Sequence, residues 1–306
     1  MNVSILISTY NGSKYIDDLM NSLFNQTYEN FKILIRDDGS VDDTKRIIEK
    51  YKDLFPEKVV LVDWENSHNI GFAASFYRLC THADADLYFF CDQDDIWEQK
   101  KIETMLIQYK QEKNNKSIPI LLHSDLSYIS NNNNYYNSFF DLTRYQSKIT
   151  DKVLFRGFLP GCTMAFNQEL KDIYVKVGTL LTHDFSVYLI AKLYGKIITI
   201  DDKLIQYRLH ENNTIGIGEK TSLNFLIKDF FKYFFYPKKY RLIILNDYCK
   251  VINQIRALDD SLYKKELYYV HEIETLSIIK RKKWFYNHFY PFEKGFFEGF
   301  VKLILF

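Results

Sequence analysis

The apolar positions change period repeatedly along the first hundred residues. Val3–Ser8 reads VSILIS, a β-rich run suited to a strand buried on both faces. Lys14–Gln26 then places Ile16, Leu19, Met20, Leu23 and Phe24 on one face at helical spacing. Phe31–Arg36 is a second strand, and Asp42 or Asp43 caps a helix running to about Leu54. Val59–Asp63, Phe72–Thr81, Leu87–Cys91 and Trp97–Lys110 continue as strand, helix, strand and helix. This β-α order predicts a mostly parallel sheet covered by helices on both faces. On such sheets ligands bind at the carboxyl ends of the strands, so the chemistry is to be sought there.

Acidic and small polar residues concentrate at those ends. The first strand runs into Ser8-Thr9-Tyr10-Asn11-Gly12, the second into Asp37-Asp38-Gly39-Ser40, and the fourth into Asp92-Gln93-Asp94-Asp95. A single turn tolerates one Asp or Asn. Five carboxylates at one sheet edge raise each other's pKa unless a cation sits among them. The economical cation is a hard divalent metal with oxygen ligands, Mn²⁺ or Mg²⁺, carrying a phosphate. Neither GxGxxG nor GxxxxGK[ST] occurs, which argues against a Rossmann dehydrogenase or a P-loop ATPase.

At these residues the chain resembles a family 2 glycosyltransferase, an inverting enzyme of the GT-A fold. The motifs are ILISTYNGSKYI, SLFNQTYENFKILIRDDGSVDDT, NIGFAASF, DLYFFCDQDDIW, LPGCTMAFN, HDFSVYLIAKLYGKIITIDD and YRLHENNTIG, in family order over about residues 1–215. The resemblance implies an α/β GT-A-like domain over 1–219. It implies a donor pocket of Ser8, Thr9, Tyr10, Asn11, Asp38, Asn69, Gly71, Asp92 and Gln93, with Asp38 accepting from the base. It places the metal on Asp94, with His210 a further ligand, and gives Asp37, Asp95 and His183 supporting positions. Asp184 takes the role of catalytic base. His183 departs from the family, which usually carries Glu there. The YRLHENNTIG segment and the His-Asp pair are similar to the bacterial rhamnosyltransferase-type branch. The implied donor is dTDP-L-rhamnose, with UDP-galactose, UDP-glucose or UDP-N-acetylglucosamine as the alternative. The implied acceptor is a lipid-linked saccharide of a bacterial surface polysaccharide. A non-catalytic, nucleotide-sugar-binding scaffold subunit is the reading from another class. A pseudoenzyme has no need of Asp38, Asp92, Asp94 and Asp184 together.

Composition changes this picture in one place. The 306 residues are 47% apolar and 26% charged, a globular balance, and the net charge of +1 argues against a nucleic-acid binder. That charge is unevenly divided: residues 220–306 hold 16 Lys/Arg against 9 Asp/Glu, residues 1–219 hold 24 against 30. Eight aromatics lie in Phe225–Tyr240 and ten in Trp284–Phe306, beside the basic run Lys280-Arg281-Lys282-Lys283. This composition suits a helical region that contacts anionic lipid or packs on the first domain. The four cysteines form no CxxC pair and read as buried free thiols. With no secretory leader and no apolar run of roughly 20 residues, the expected place is the cytoplasm, at the inner face of the membrane.

Overall fold

The structure, a computed structural model, describes residues 1–65, 67–112, 117–130, 135–138, 159–179 and 182–210. The basic, aromatic stretch 220–306 therefore lies outside the described residues, as does the asparagine run 131–134.

The first half follows the hydrophobic pattern closely. Strands β1 (Val3–Thr9), β2 (Phe31–Asp37), β3 (Val59–Leu61) and β4 (Leu87–Asp92) alternate with helices α1 (Ile16–Phe24), α2 (Thr44–Leu54) and α3 (Phe72–His82). Their order in the sheet is β3-β2-β1-β4, all parallel. The second half differs in character. Strand β5 (Ile96–Trp97), helix α4 (Lys101–Glu112), strands β6 (Ile120–Ser130) and β7 (Tyr135–Ser138), a 3₁₀ turn at Gly161–Thr163, strand β8 (Met164–Asn167), helices α5 (Gln168–Val177) and α6 (His183–Tyr194) and strand β9 (Lys196–Leu209) complete it. The sheet continues β4-β8-β6-β9-β5, with β7 beside β6. Here β8 runs antiparallel to both neighbours and only β6 and β9 are parallel. Trp97 is the one clear displacement from the sequence expectation. It lies in β5, paired with Ile205, and the helix begins four residues later.

Alternation along each strand feeds two cores, one per face of the sheet. Val3, Ile5 and Ile7 of β1 and Phe89 of β4 pack with α1, α2 and α4. Leu6 of β1 and Tyr88 and Phe90 of β4 pack with α3, α5 and α6. Burial on both faces explains why these strands read as continuous apolar runs.

Helix α6, which carries Asp184, is set against the sheet by its C-terminal glycine. A Cβ on Gly195 would lie 1.9 Å from the Pro119 carbonyl oxygen, which also accepts the Lys196 N–H at 2.9 Å. The clash is with backbone, so no rotamer change relieves it. Gly195→Ala is expected to cost about 3 kcal/mol of stability, the upper end for overpacking. Urea unfolding measures this, and an unchanged midpoint would contradict the packing.

Candidate active site

The site begins with three turns that leave the sheet at the same edge. Ser8 of β1 is paired with Arg36 on one side and Asp92 on the other, so the loops after β1, β2 and β4 emerge together. Asp37 closes its own turn. One oxygen accepts the Gly39 and Ser40 N–H groups at 3.1 and 2.8 Å, the other the Thr9 and Ser40 hydroxyls at 3.0 and 2.6 Å. Thr9 is fully buried in this arrangement, so its side chain shapes the turn from beneath and does not line the crevice. Asn11, with φ of 49°, donates its N–H to Ser40 Oγ and accepts the Val41 N–H through Oδ1, tying the first turn to the second.

Asp38 is held from three directions. Its Oδ1 accepts from the Arg36 guanidinium at 2.7 Å and from Ile70 N at 2.8 Å, and its Oδ2 accepts from Gly71 N at 2.9 Å. Arg36 is 1% exposed and also donates to Ser75 Oγ and to the His68 carbonyl. Ser75 in turn accepts from Ser8 Oγ at 2.7 Å. The segment 68–71 is thereby pinned beside β2. Asn69 Oδ1 adds a bond to Gly71 N, and Gly71 takes a φ of 83° that favours glycine. Arg36 was not among the sequence candidates. Its signal is a charge that directly follows the apolar run Ile33-Leu34-Ile35 within the strand FKILIRD.

Gln93 bridges the outer loops. Its amide accepts the Tyr10 N–H at 2.9 Å and donates to the Tyr10 carbonyl at 3.0 Å. Gly12 leaves the room for this, since a Cβ there would lie 2.2 Å from Gln93 Oε1. The Tyr10 ring stays about half exposed at the mouth.

The floor is acidic. Ligand atoms of Asp92, Asp95 and Cys162 lie within 4.8 Å of one another. Burial, with the nearby charges of Asp94 and Asp184, pushes the Asp92 pKa up to about 7. Asp95 is raised well above the usual carboxylate range, again chiefly by burial. Its Oδ1 accepts from Arg208 N at 3.4 Å, while Oδ2 is buried with no hydrogen-bond partner among the described residues. Asp94 faces His210, with Oδ2 and Nε2 2.6 Å apart. His210 stacks on Tyr15 at 5.0 Å, and Arg208 donates to the Asp94 carbonyl and to Asp18. An orphaned carboxylate oxygen among further carboxylates and an imidazole is a donor set that fits a divalent cation. In the sequence Cys162 reads only as a buried free thiol. Its pKa is pushed up by burial, and its position beside Asp92 and Asp95 is what the sequence did not disclose.

Asp184 is the second residue of α6 and 6% exposed. Its Oδ1 accepts the Phe185 N–H at 2.7 Å and the Thr182 hydroxyl. Its Cβ would lie 3.3 Å from a Cβ on Gly161, so it borders the turn that carries Cys162, and its charge is one of those that raise Asp92. His183 turns the other way. Its ring stacks on Phe76 at 4.0 Å and meets Phe90 edge-on at 4.6 Å, and neither ring nitrogen has a hydrogen-bond partner among the described residues. Gly161 makes space for it, as a Cβ there would lie 2.8 Å from Nε2.

Burial pushes the His183 pKa down to about 4. Unfolded chains take up this proton below about pH 6.5 while the folded chain does not. The group therefore supports folding above that pH, and the support is lost as pH falls from about 6.5 towards 4. His183→Phe is expected to lose about 2 kcal/mol less than the unaltered chain between pH 7 and pH 5. Urea melts at both values test this, and identical losses would refute it.

The profile of glycosyl transferase family 2 matches residues 4–169, more than half of the chain. The chain belongs to this family. As a family 2 glycosyltransferase it is 29% identical over 225 residues to the dTDP-rhamnosyl transferase RfbG of Shigella flexneri, covering 69% of this chain and 73% of that one. The structure of S. aureus TarS 1–349 in complex with UDP superposes with a TM-score of 0.56 at 18% identity, covering 89% of this chain and 87% of that one. Mannosyltransferase PcManGT from Pyrobaculum calidifontis, in complex with GDP-Man and Mn²⁺, gives 0.52 at 18% identity over 69% of this chain and 58% of that one. The fold is that of the GT-A glycosyltransferases, a mixed α/β sheet with flanking helices. The enzyme uses a nucleotide-sugar donor.

Proposed function

We propose that this glycosyltransferase is inverting and metal-dependent, and moves L-rhamnose from dTDP-L-rhamnose to a lipid-linked saccharide of a bacterial surface polysaccharide. The observation that carries the site is the group of Asp92, Asp95 and Cys162, with ligand atoms within 4.8 Å of one another, bordered by Asp184 at the Gly161 turn and separated by strand β1 from the Asp38 turn. The rhamnosyl donor is supported by the likeness to RfbG.

In this reading Tyr10 covers the base and Asp38 accepts its ring N–H through the lone pair that Arg36, Ile70 and Gly71 leave open. Ser8, Asn11, Asn69, Gly71 and Gln93 shape the pocket. Asp94 and His210 would hold Mn²⁺ or Mg²⁺, with Asp92 towards ribose and diphosphate and Asp95 behind it. The metal, when bound, neutralises the charge of the leaving diphosphate. Asp184 takes the proton of the acceptor hydroxyl through Oδ2, since both of its bonds described above fall on Oδ1. The acceptor oxygen–C1 bond forms as the C1–oxygen bond to the β-phosphate breaks, and the electron pair leaves with the diphosphate. One displacement inverts C1, so a β-linked nucleotide rhamnose yields an α-rhamnoside.

A thermal-shift panel of dTDP- and UDP-sugars with Mn²⁺ tests the donor. Stabilisation by dTDP-L-rhamnose above the UDP-sugars supports this reading, and preference for a UDP-sugar replaces it. Failure of the pure protein to hydrolyse any stabilising donor would favour a binding subunit.

Residues 1–219 form the catalytic domain in this proposal, and 220–306 a basic, aromatic appendage that meets the membrane surface. Among the described residues no helix is long and apolar enough to cross a membrane. Full-length protein is expected to float with anionic liposomes, while a chain ending near Thr221 stays behind. Equal flotation of both would remove the appendage from this role.

A further inference from the structure

Lys101 opens α4 and is entirely buried, although nothing in the proposed reaction uses it. Its ammonium donates to the Cys162 carbonyl at 2.6 Å and lies 3.8 Å from the centroid of the Trp97 ring. It therefore sits under the turn that brings Cys162 beside Asp92 and Asp95. Burying an ammonium costs several kcal/mol unless opposite charges face it. Burial pulls its pKa down to about 8. Cys162, whose carbonyl it holds, shares one group with Asp92 and Asp95, so the ammonium lies at the underside of the acidic floor, and the charges of these carboxylates work against the fall. An apolar side chain would fill the same space at less cost, so the charge calls for a functional account.

We propose that Lys101 is the resident counter-cation of the donor site and makes retention of the metal conditional on the diphosphate. Its positive charge repels a divalent cation that arrives alone and attracts the anionic diphosphate that arrives with one. It is a positioning residue: it acts through the floor and the Cys162 turn without touching the reacting atoms. The proposal rests on the donor-site reading above. Its consequence is that metal and nucleotide enter and leave together, where an uncompensated acidic floor would keep the cation between turnovers.

Lys101→Gln keeps a hydrogen-bond donor and removes the charge. In the full-length protein at pH 7, where Lys101 is charged, free Mn²⁺ is followed by electron paramagnetic resonance, and dTDP and UDP by calorimetry at saturating Mn²⁺. The variant is expected to bind Mn²⁺ alone about tenfold more tightly and the nucleoside diphosphate about tenfold more weakly. These opposite movements identify a charge effect, because damage to the fold lowers both affinities. Both falling together, or neither changing, overturns the proposal. An unaltered chain that takes up neither probe overturns the donor-site reading and the role of Lys101 with it, whereas normal binding with an indifferent variant overturns only the latter. Should the variant not fold, ¹⁵N-lysine-labelled protein, with Lys101 assigned through Lys101→Arg, gives the same decision. The ammonium resonance is expected to shift on adding Mg²⁺ and to move back on adding dTDP, and a resonance indifferent to both overturns the proposal.

Discussion

Replacing Asp184 by asparagine is expected to lower turnover by about 10²–10⁴-fold, the range for loss of a general base. Donor affinity is expected to survive. The asparagine side chain retains an oxygen to accept the Phe185 N–H, so the start of α6 keeps its shape. The charge change carries a further sign. The Asp184 charge helps to raise the Asp92 pKa, so its removal lets Asp92 ionise at lower pH. Metal affinity near neutral pH is therefore expected to hold or to rise slightly. Single-turnover kinetics with calorimetry of dTDP and Mn²⁺ separates the two effects. Near-normal turnover would remove Asp184 from the role of base, and a parallel collapse of binding would make it a structural residue.

Asp94→Ala is expected to act on the other half of the reaction. Changes beyond a metal's own ligands cost about 10–100-fold in affinity, so loss of a ligand is expected to weaken metal-dependent nucleotide binding by on the order of 100-fold or more. The turn itself survives, because Arg208 holds this residue through its backbone carbonyl, which alanine retains. Only the carboxylate facing His210 is lost. Titration of dTDP with and without Mn²⁺ gives the readout: the variant's affinity is expected to become the same in both. An affinity that still rises with Mn²⁺ would move the cation to the group of Asp92, Asp95 and Cys162.

The parts of the molecule legible in the sequence share a physical reason. Strands β1, β2 and β4 are largely buried on both faces and flanked by amphipathic helices, so both periods appear without interference. The turns after β1, β2 and β4 declare themselves through Asn, Asp and Gly, which few other local structures demand. The second half hides its strands. Strand β6 carries His123, Ser124 and Asp125 buried in its middle, β8 has four residues, and β5 has two. A two-residue strand shows no alternation, so Trp97 falls naturally into the helical pattern that follows it.

The site's acids were legible because carboxylates cluster in the sequence as well as in space. Its cations were not. Arg36, Lys101 and Arg208 are each deeply buried, but residue type alone reads as solvent-facing charge. For Lys101 a trace existed: positions 101, 105 and 109 share the buried face of α4 with Ile102 and Leu106. Weighing that face would have placed a lysine against the sheet.

The Arg208–Asp18 and Asp94–His210 contacts join residues 190 and 116 positions apart. During synthesis, the nucleotide half can fold with its crevice shaped while those partners are still inside the ribosome. Until β9 emerges and docks, the nascent chain lacks Arg208 and His210, so the Asp94 loop gains its partners only after the first four strands have been made.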